Sequence, residues 1–138
     1  MKTDLHWKGK MQFEARTPSG HGVTLDASPE VGGEDRGPRP TELLLTAVGG
    51  CSGIDIVSIL DKMRLQVKSF DMEVSGVRAE EHPRRFTQVH IHYRLEGDLP
   101  EEKVRRAVDL SRDKYCSVSQ SLGADVTTSF EINGKRFD

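Results

Sequence analysis

Two cysteines are the residues of this 138-residue chain best suited to chemistry. Cys51 lies in a Gly-Gly-Cys-Ser-Gly stretch, and Cys116 lies in a Tyr-Cys-Ser-Val-Ser stretch. A thiol combines strong nucleophilicity with reversible oxidation, so two thiols that a fold brings together can complete an oxidation and resolution cycle without a cofactor. The alternative is that both are inert core residues, because free cysteine is among the most buried residue types.

The composition indicates a single globular domain, residues 1–138, in the reducing cytoplasm. Twenty basic residues oppose 22 acidic ones, for a net charge of −2, so we expect neither a nucleic acid nor a membrane as partner. The N-terminus lacks the apolar core of a signal peptide, and no uninterrupted apolar run approaches the roughly 18 residues of a membrane span. In that compartment a cysteine pair is more often a redox or metal device than a permanent cross-link.

The apolar pattern predicts an α+β fold in which an antiparallel sheet packs on a long buried central helix. Alternation from Leu5 to Glu14, followed by residues 21–26, predicts N-terminal strands with one buried face. Residues 31–39 have the composition of a loop. From Pro40 to about Met63 apolar residues occur on every side, which is typical of a helix in the middle of a protein.

The second half predicts the elements that must carry Cys116. Strands are expected over 70–78 and 85–95, an amphipathic helix from 101 to about 114, a short helix over 117–122 and a last strand over 126–132. Cys51 therefore lies within the central helix. Cys116 lies at the N-terminus of the short helix, where unpaired N–H groups favour a thiolate.

Gly49, Gly50 and Gly53 are unexpected in the central helix, since each costs about 1 kcal/mol relative to alanine in a helix interior. One explanation is close packing of another backbone or of a second copy of the chain. Another is that they clear space for a ligand beside Cys51. A third is a helix break that leaves Cys51 at a new N-terminus.

Both cysteine segments resemble those of the OsmC and organic hydroperoxide resistance family. In that family's central helix a Pro-Glu pair precedes an apolar run that ends in the reactive cysteine, and residues 39–52 are similar to it. The Cys-Ser-Val-Ser-Gln at 116–120 is similar to the family's Cys-Pro-Val-Ser-Gln. The order of elements agrees over essentially the whole chain, and Gly-Gly-Cys-Ser with Lys-Tyr-Cys-Ser-Val is closest to the YhfA-like branch.

The resemblance implies an OsmC-like fold, an intertwined homodimer and a thiol peroxidase that reduces organic hydroperoxides in oxidative-stress defence. Cys51 would attack the peroxide and become a sulfenic acid, and Cys116 would resolve it as a disulfide. An external dithiol, lipoyl-type in the hydroperoxide resistance branch, would reset the pair. The resemblance implies no bound cofactor and no metal.

One position departs from the family pattern. The glutamate that helps to hold the activating arginine follows the motif proline directly, and here Thr41 stands in its place. Glu42 is the neighbouring carboxylate, but a regular helix puts it roughly opposite Cys51 and about 13 Å away along the axis. Asp55 does share a helix face with Cys51 and, if unpaired, would raise the pKa of that thiol.

The activating arginine has three candidates. In the hydroperoxide resistance branch it precedes a turn between early strands, and Arg16 stands before Thr-Pro-Ser-Gly here. Arg36 and Arg39, close to the start of the central helix, are the others. The expected catalytic set is thus Cys51 and Cys116, with Arg16 and Glu42 in support.

His90 and His92 point the same way from one strand, as two metal ligands would. Their face is shared with Gln88 and Arg94, so a solvated polar face is the preferred interpretation, and no metal site is expected there.

Two other functions stay open. The first is a non-catalytic protein that binds an apolar carboxylate or thiol compound in a cleft at the dimer interface. That cleft would be lined by Leu44, Val48, Cys51 and Ile54 or their neighbours. The second is a general disulfide oxidoreductase, but the chain has no Cys-x-x-Cys motif to support it.

Overall fold

The computed structural model describes all 138 residues and confirms the α+β fold, with its strands in two separate sheets. Backbone contacts divide the chain into two compact units, residues 1–44 and residues 45–138. The first unit contains a three-stranded sheet, and the second contains a four-stranded sheet with helices. That residues 1–138 form one domain stays a prediction.

The N-terminal unit is an antiparallel sheet of three short strands. They are β1 (Asp4–Gly9), β2 (Gln12–Arg16) and β3 (Gly22–Leu25), followed by a 3-10 turn at Pro29–Val31. The alternation from Leu5 to Glu14 is divided between two strands, because the chain turns at Gly9 and Lys10, with φ of 104° and 48°. Glycine adopts positive φ at no steric cost, which makes this tight turn accessible.

The predicted buried face of these strands exists but is not covered by the chain itself. Trp7 lies opposite Phe13, and Phe13 lies opposite Leu25, so the three side chains share one face. Trp7 is nevertheless 60% exposed and Leu5 58% exposed. The prediction that these residues share one face is therefore correct. The prediction that this face is buried within the chain is wrong.

The second unit supplies the elements around the cysteines. Helix α1 (Pro40–Lys62) begins in the first unit and continues into the second. It is followed by β4 (Ser69–Arg78), β5 (Phe86–Glu96), α2 (Glu101–Leu110), a π-helical turn (Ser111–Tyr115), α3 (Ser117–Ser121), β6 (Asp125–Ile132) and β7 (Lys135–Phe137). The sheet order is β4-β5-β6-β7.

The sheet of the second unit is mixed, which corrects the prediction of an antiparallel sheet. β4 pairs with β5 and β6 with β7 in antiparallel fashion, but β5 and β6 are parallel. The reason is the crossover: α2, the π turn and α3 stand between β5 and β6, which gives the chain enough length to return and run in the same direction. Strand β7 was not predicted. It follows a turn at Asn133 and Gly134, with φ of 51° and 85°.

The core of the second unit lies between α1, α2 and one face of the sheet. Alternate residues of β5 are buried: Val89, Ile91, Tyr93 and Leu95. They belong to the same cluster as Ile56 and Leu60 of α1 and Val104 of α2. Full burial of such a side chain stabilises the fold by about 1.5–3 kcal/mol, so this cluster fixes where α1 lies on the sheet.

Helix α1, with 23 residues, is long and apolar enough by length and composition to cross a membrane, and an apolar window of 18 residues within it has a mean hydropathy of 1.9. The length of the longest uninterrupted apolar run did not indicate a helix of this hydropathy. Glycine, serine and threonine interrupt the run but lower the mean hydropathy only slightly. The central helix of a globular protein has the same composition. A third of the apolar window is buried within the chain.

The three glycines of α1 have different surroundings. The helix is continuous from Pro40 to Lys62, so the predicted alternative of a break at Gly49-Gly50 is wrong. A Cβ atom on Gly49 would lie 2.9 Å from a methyl of Val74, and one on Gly53 would lie 2.7 Å from the Met72 methyl. A Cβ on Gly50 would meet nothing within 4 Å. Two glycines thus allow α1 to approach β4, as the close-packing explanation predicts.

We therefore expect Gly49→Ala and Gly50→Ala to affect stability in opposite directions. Gly50→Ala gains helix propensity in open space and should stabilise the protein by up to about 1 kcal/mol. Gly49→Ala must displace the Val74 side chain and should cost about 1–3 kcal/mol. Urea unfolding of both variants at equal protein concentration measures this, and equal midpoints would contradict the close approach of α1 to β4.

Candidate functional site

The structure brings the two predicted cysteines together. The Sγ atoms of Cys51 and Cys116 and a carboxylate oxygen of Asp55 all lie within 4.8 Å of one another. Both cysteines are free thiols; Cys51 is half-buried and Cys116 is 1% exposed. A disulfide has an S–S length of about 2.05 Å, so the two sulfurs can bridge after a short approach. This confirms that the fold makes them neighbours.

The π-helical turn positions Cys116. α2 was expected to continue to about residue 114, but its α-helical hydrogen bonding ends at Leu110. In the wider turn that follows, the Cys116 N–H donates to the Ser111 carbonyl at 2.9 Å, five residues back. Gln120 Nε2 also donates to the carbonyl of Arg112 at 3.0 Å, which ties α3 to this turn. Such π turns are often found at functional sites.

A buried hydrogen-bonded chain links α1, β5 and the π turn beside the thiols. The hydroxyls of Ser52 and Tyr93 are hydrogen-bonded. The Ser111 hydroxyl lies 3.1 Å from Ser52 Oγ and 3.0 Å from Asp55 Oδ2. Ser52 and Ser111 are almost completely buried.

Ser111 is the central donor of this hydrogen-bonded chain. Its hydroxyl donates to Asp55 Oδ2 and to Ser52 Oγ, and a carboxylate can only accept. Burial raises the pKa of Tyr93 to about 12, so its hydroxyl stays protonated beside Ser52. No buried side-chain polar atom lacks a hydrogen-bond partner, and a fully satisfied buried polar network is rigid.

The pKa of the Cys51 thiol is lowered from its ordinary value. Burial raises it, but hydrogen bonds from the Val118 N–H, the Cys116 thiol and the Ser117 hydroxyl together outweigh burial. The Ser117 Oγ lies 3.9 Å from the Cys51 sulfur. The charge of Asp55 acts in the opposite direction and raises the pKa, as its place on the helix predicted.

The pKa of the Cys116 thiol is raised, which corrects the expectation that the short helix would favour a thiolate there. Burial is the main cause, and the neighbouring Cys51 adds to it. The Ser119 N–H does donate to the Cys116 sulfur, at 3.4 Å, but this does not compensate for burial. The Val118 N–H instead stabilises Cys51. The two thiols therefore have opposite tendencies: Cys51 to ionise, and Cys116 to keep its proton.

The predicted arginine and glutamate candidates all lie in the N-terminal unit, where each has a local partner. Arg16 Nη1 donates to the Gly20 carbonyl at 3.1 Å, and the Arg36 N–H donates to Asp26 at 3.1 Å. Arg39 forms a 2.6 Å ion pair with Asp35. Glu42 Oε1 accepts the Arg39 N–H at 2.7 Å, a helix-capping contact. Their part in the site stays a prediction.

His90 and His92 belong to a hydrogen-bonded row along β5 and β6. The two rings share the Ser129 hydroxyl, at 2.9 Å and 2.8 Å, and His92 Nε2 lies 2.9 Å from Glu131. His90 Nδ1 lies 2.7 Å from the Thr127 hydroxyl. Both nitrogens of each ring have partners, so the preferred interpretation, a polar face, describes them.

The surface beside Asp55 includes a cleft of about 450 Å³. Its walls combine apolar side chains of Ile59, Met63 and Leu110 with the cationic Lys62 and Arg106. Among the residues expected to line a ligand cleft, Val48 is fully buried in the core and faces no cleft, whereas Ile54 is 73% exposed. Leu44 is 41% exposed.

Sequence reasoning missed Ser52, Tyr93, Ser111 and the Ser117-Val118 pair. Ser52 and Ser117 directly follow the two cysteines and could have been found there. Ser111 and Tyr93 carry no comparable signal, because their contribution depends on the π turn and on the register of β5.

A family model described as OsmC-like protein matches residues 32–131. The chain belongs to the OsmC-like family. It is 39% identical to protein YhfA of Escherichia coli K12, over 96% of this chain and 98% of that protein. A hypothetical protein from Aquifex aeolicus has a solved structure with a TM-score of 0.78 and 32% identity, covering 95% of this chain and 96% of that one.

A more distant OsmC structure shows the same fold. It is described as an organic hydroperoxide resistance protein, predicted redox protein and regulator of sulfide bond formation from Legionella pneumophila. The TM-score is 0.71 at 18% identity, over 94% of this chain and 95% of that one.

The thiol pKa shifts of this OsmC-like protein predict a selective alkylation profile. With a chelator present, we expect iodoacetamide to modify Cys51 at a lower pH than an ordinary cysteine requires. We expect it to modify Cys116 only at a higher pH than an ordinary cysteine requires. Ser117→Ala removes a hydrogen bond to Cys51 and should shift its profile to higher pH, whereas Ser121→Ala on the same helix should not. Rates measured by peptide mass spectrometry test this, and faster modification of Cys116 would contradict it.

Proposed function

We propose that this protein is a thiol peroxidase that reduces organic hydroperoxides in the cytoplasm. The observation that carries the proposal is the pair of free thiols whose sulfurs lie within 4.8 Å, one with a lowered pKa and one with a raised pKa. A thiolate attacks peroxides, whereas a thiol does not. A resolving partner must then be close, so that the sulfenic acid condenses before it is oxidised further.

The steps balance with these two residues. The Cys51 thiolate attacks the peroxide O–O bond, which yields a Cys51 sulfenic acid and, with one proton, an alcohol. The Cys116 thiol then attacks the sulfenic sulfur, which forms the disulfide and releases water. An external dithiol, of the lipoyl type, reduces the disulfide by thiol–disulfide exchange and is itself oxidised to a cyclic disulfide.

The surroundings favour an organic peroxide over hydrogen peroxide. The cleft that borders Asp55 is lined by apolar side chains together with the cationic Lys62 and Arg106. A hydrocarbon chain gains roughly 0.8 kcal/mol for each CH₂ group that it buries, and hydrogen peroxide has none. The Legionella relative is named for resistance to organic hydroperoxides, which is consistent with this substrate class.

A homodimer supports the same function. The single chain exposes Trp7, Leu5 and Phe13 on one sheet, and Ile54 and Val57 on α1. Large apolar residues that share an exposed face mark an interaction surface. A second copy would cover these faces and shield Cys51 from water. It would also place a partner surface over Gly50, which has open space around it.

Cysteine variants test the roles directly. After one equivalent of cumene hydroperoxide, Cys116→Ser should carry a sulfenic acid on Cys51, which excess peroxide converts to the sulfinic acid. Cys51→Ser should remain unoxidised, because Cys116 is buried and keeps its proton. Neither variant should turn over with dihydrolipoate, whereas wild type should, and faster with cumene hydroperoxide than with hydrogen peroxide.

Three results would count against the proposal or its assignment. Sulfenic acid on Cys116 in Cys51→Ser would exchange the two roles. Equal rates with both peroxides would remove the argument from the apolar cleft. No oxidation in either variant, with both thiols resistant to alkylation, would reject the peroxidase and favour the ligand-binding function.

We expect the protein to be a homodimer in solution. Sedimentation equilibrium at micromolar concentration should give twice the 15.4 kDa chain mass, with an interface well above about 1,000 Å². Trp7→Glu should weaken association, because it places a charge in the apolar face, whereas Lys8→Glu on the opposite face should have little effect. A monomeric wild type would contradict the proposal.

A further inference from the structure

The three groups around the thiol pair have the composition of a metal site as well as of a redox site. In a tetrahedral zinc site, metal–sulfur bonds of about 2.3 Å and metal–oxygen bonds of about 2.0–2.2 Å place neighbouring ligand atoms about 3.5–3.8 Å apart. The ligand atoms of Cys51, Cys116 and Asp55 already lie within 4.8 Å of one another. A contraction of at most about 1.3 Å between any two ligand atoms is therefore enough to close the site.

The donor set selects a particular class of metal. Two thiolates favour a soft or borderline ion such as Zn²⁺ over Mg²⁺ or Ca²⁺, which prefer oxygen ligands. A carboxylate is an accepted third ligand for Zn²⁺, and three protein ligands leave a fourth position open. Cys51 and Asp55 are only half-buried, so an ion has access to the site.

The outer contacts are those expected around metal ligands. Ser111 holds the Asp55 carboxylate at 3.0 Å, and the Ser119 N–H donates to the Cys116 sulfur at 3.4 Å. Hydrogen bonds of this kind orient ligands and raise metal affinity.

The charge around the site also favours a cation. Asp55 accepts a hydrogen bond from the neutral Ser111 hydroxyl and forms no ion pair, although Lys62 and Arg106 line the same cleft. Arg112, next to Ser111, is held by Asp109 at 3.3 Å and Asp113 at 2.8 Å. Two thiolates added to this carboxylate make three negative groups in a small volume, which a divalent ion stabilises.

We propose that the reduced protein binds one Zn²⁺ per chain through Cys51 Sγ, Cys116 Sγ and a carboxylate oxygen of Asp55. The metal binds both sulfurs as thiolates, so each sulfur that is protonated beforehand releases its proton to solvent, and no electron is transferred. Formation of the disulfide removes two of the three ligands and releases the ion. The site is thus a redox-controlled zinc site, and the bound ion blocks attack on a peroxide because it occupies the sulfur lone pairs.

The binding itself does not depend on peroxidase activity; only the inhibitory effect rests on the proposed function. The experiment uses the reduced, metal-free, full-length protein titrated with Co²⁺ and then with Zn²⁺ against a chromophoric chelator. We expect one Co²⁺ per chain with a thiolate-to-cobalt charge-transfer band, which Zn²⁺ displaces and the disulfide form lacks. Cys51→Ser and Cys116→Ser should abolish the band.

Asp55 is tested against a matched aspartate of the same helix. Asp55→Asn should weaken Zn²⁺ binding by at least about 10-fold, because it removes one of the three ligands. Asp61→Asn, at an exposed position, and His92→Gln should leave the affinity unchanged. Far-ultraviolet circular dichroism of each variant shows that it is folded.

Two results would overturn the proposal: no charge-transfer band in the reduced wild type, or a band that persists in Cys116→Ser or at full affinity in Asp55→Asn. The peroxidase assay, run with a chelator and then with added Zn²⁺, separates the two proposals. Zinc binding without peroxide turnover would reject the proposed function alone, and turnover that Zn²⁺ does not inhibit would reject the blocking role.

Discussion

The arrangement of the site depends on one buried hydrogen-bonded chain, from Tyr93 through Ser52 and Ser111 to Asp55. It joins the central strand β5, the central helix α1 and the π-helical turn. Ser111 donates to both Ser52 and Asp55, and every buried polar side-chain atom has a hydrogen-bond partner. Losing one member would leave a buried polar group without a partner, at a cost of about 1–3 kcal/mol. This fixes the π turn against α1, and the π turn in turn fixes Cys116 next to Cys51.

The same geometry divides the chemistry between the two sulfurs. α3 begins directly after Cys116, and its first N–H groups are shared: Val118 serves Cys51, and Ser119 serves Cys116. Burial then determines the difference, since Cys116 is almost fully enclosed and Cys51 is not. A peroxide-reducing cycle requires the accessible sulfur to ionise more readily than the enclosed one, and the two pKa shifts have these directions. Asp55 opposes ionisation of Cys51, and the same charge favours a cation at the site.

Much of this arrangement could be predicted from the sequence. The central helix and most of the other elements follow from the apolar pattern, and the proximity of Cys51 to Cys116 was implied by the resemblance of both cysteine segments to the OsmC family. The parallel pairing of β5 with β6 could not, because periodicity gives faces and not directions. The π turn is also invisible to the pattern, since residues 101–114 remain amphipathic whether the last turn is α or π. The exposure of Trp7 was missed because alternation identifies an apolar face without showing whether the rest of the chain covers it. The thiol pKa difference needed the path of α3, which decides which sulfur receives which N–H.

The central claim is that the two thiols react with each other after one meets a peroxide. Intact-mass analysis of the wild-type protein after one equivalent of cumene hydroperoxide, under denaturing and alkylating quench, tests it most directly. We expect the protein mass to fall by that of two hydrogen atoms, with no cysteine alkylated. We also expect a peptide in which Cys51 is linked to Cys116. An unchanged mass with two alkylated thiols, or oxygen added to Cys51 without a disulfide, would contradict it.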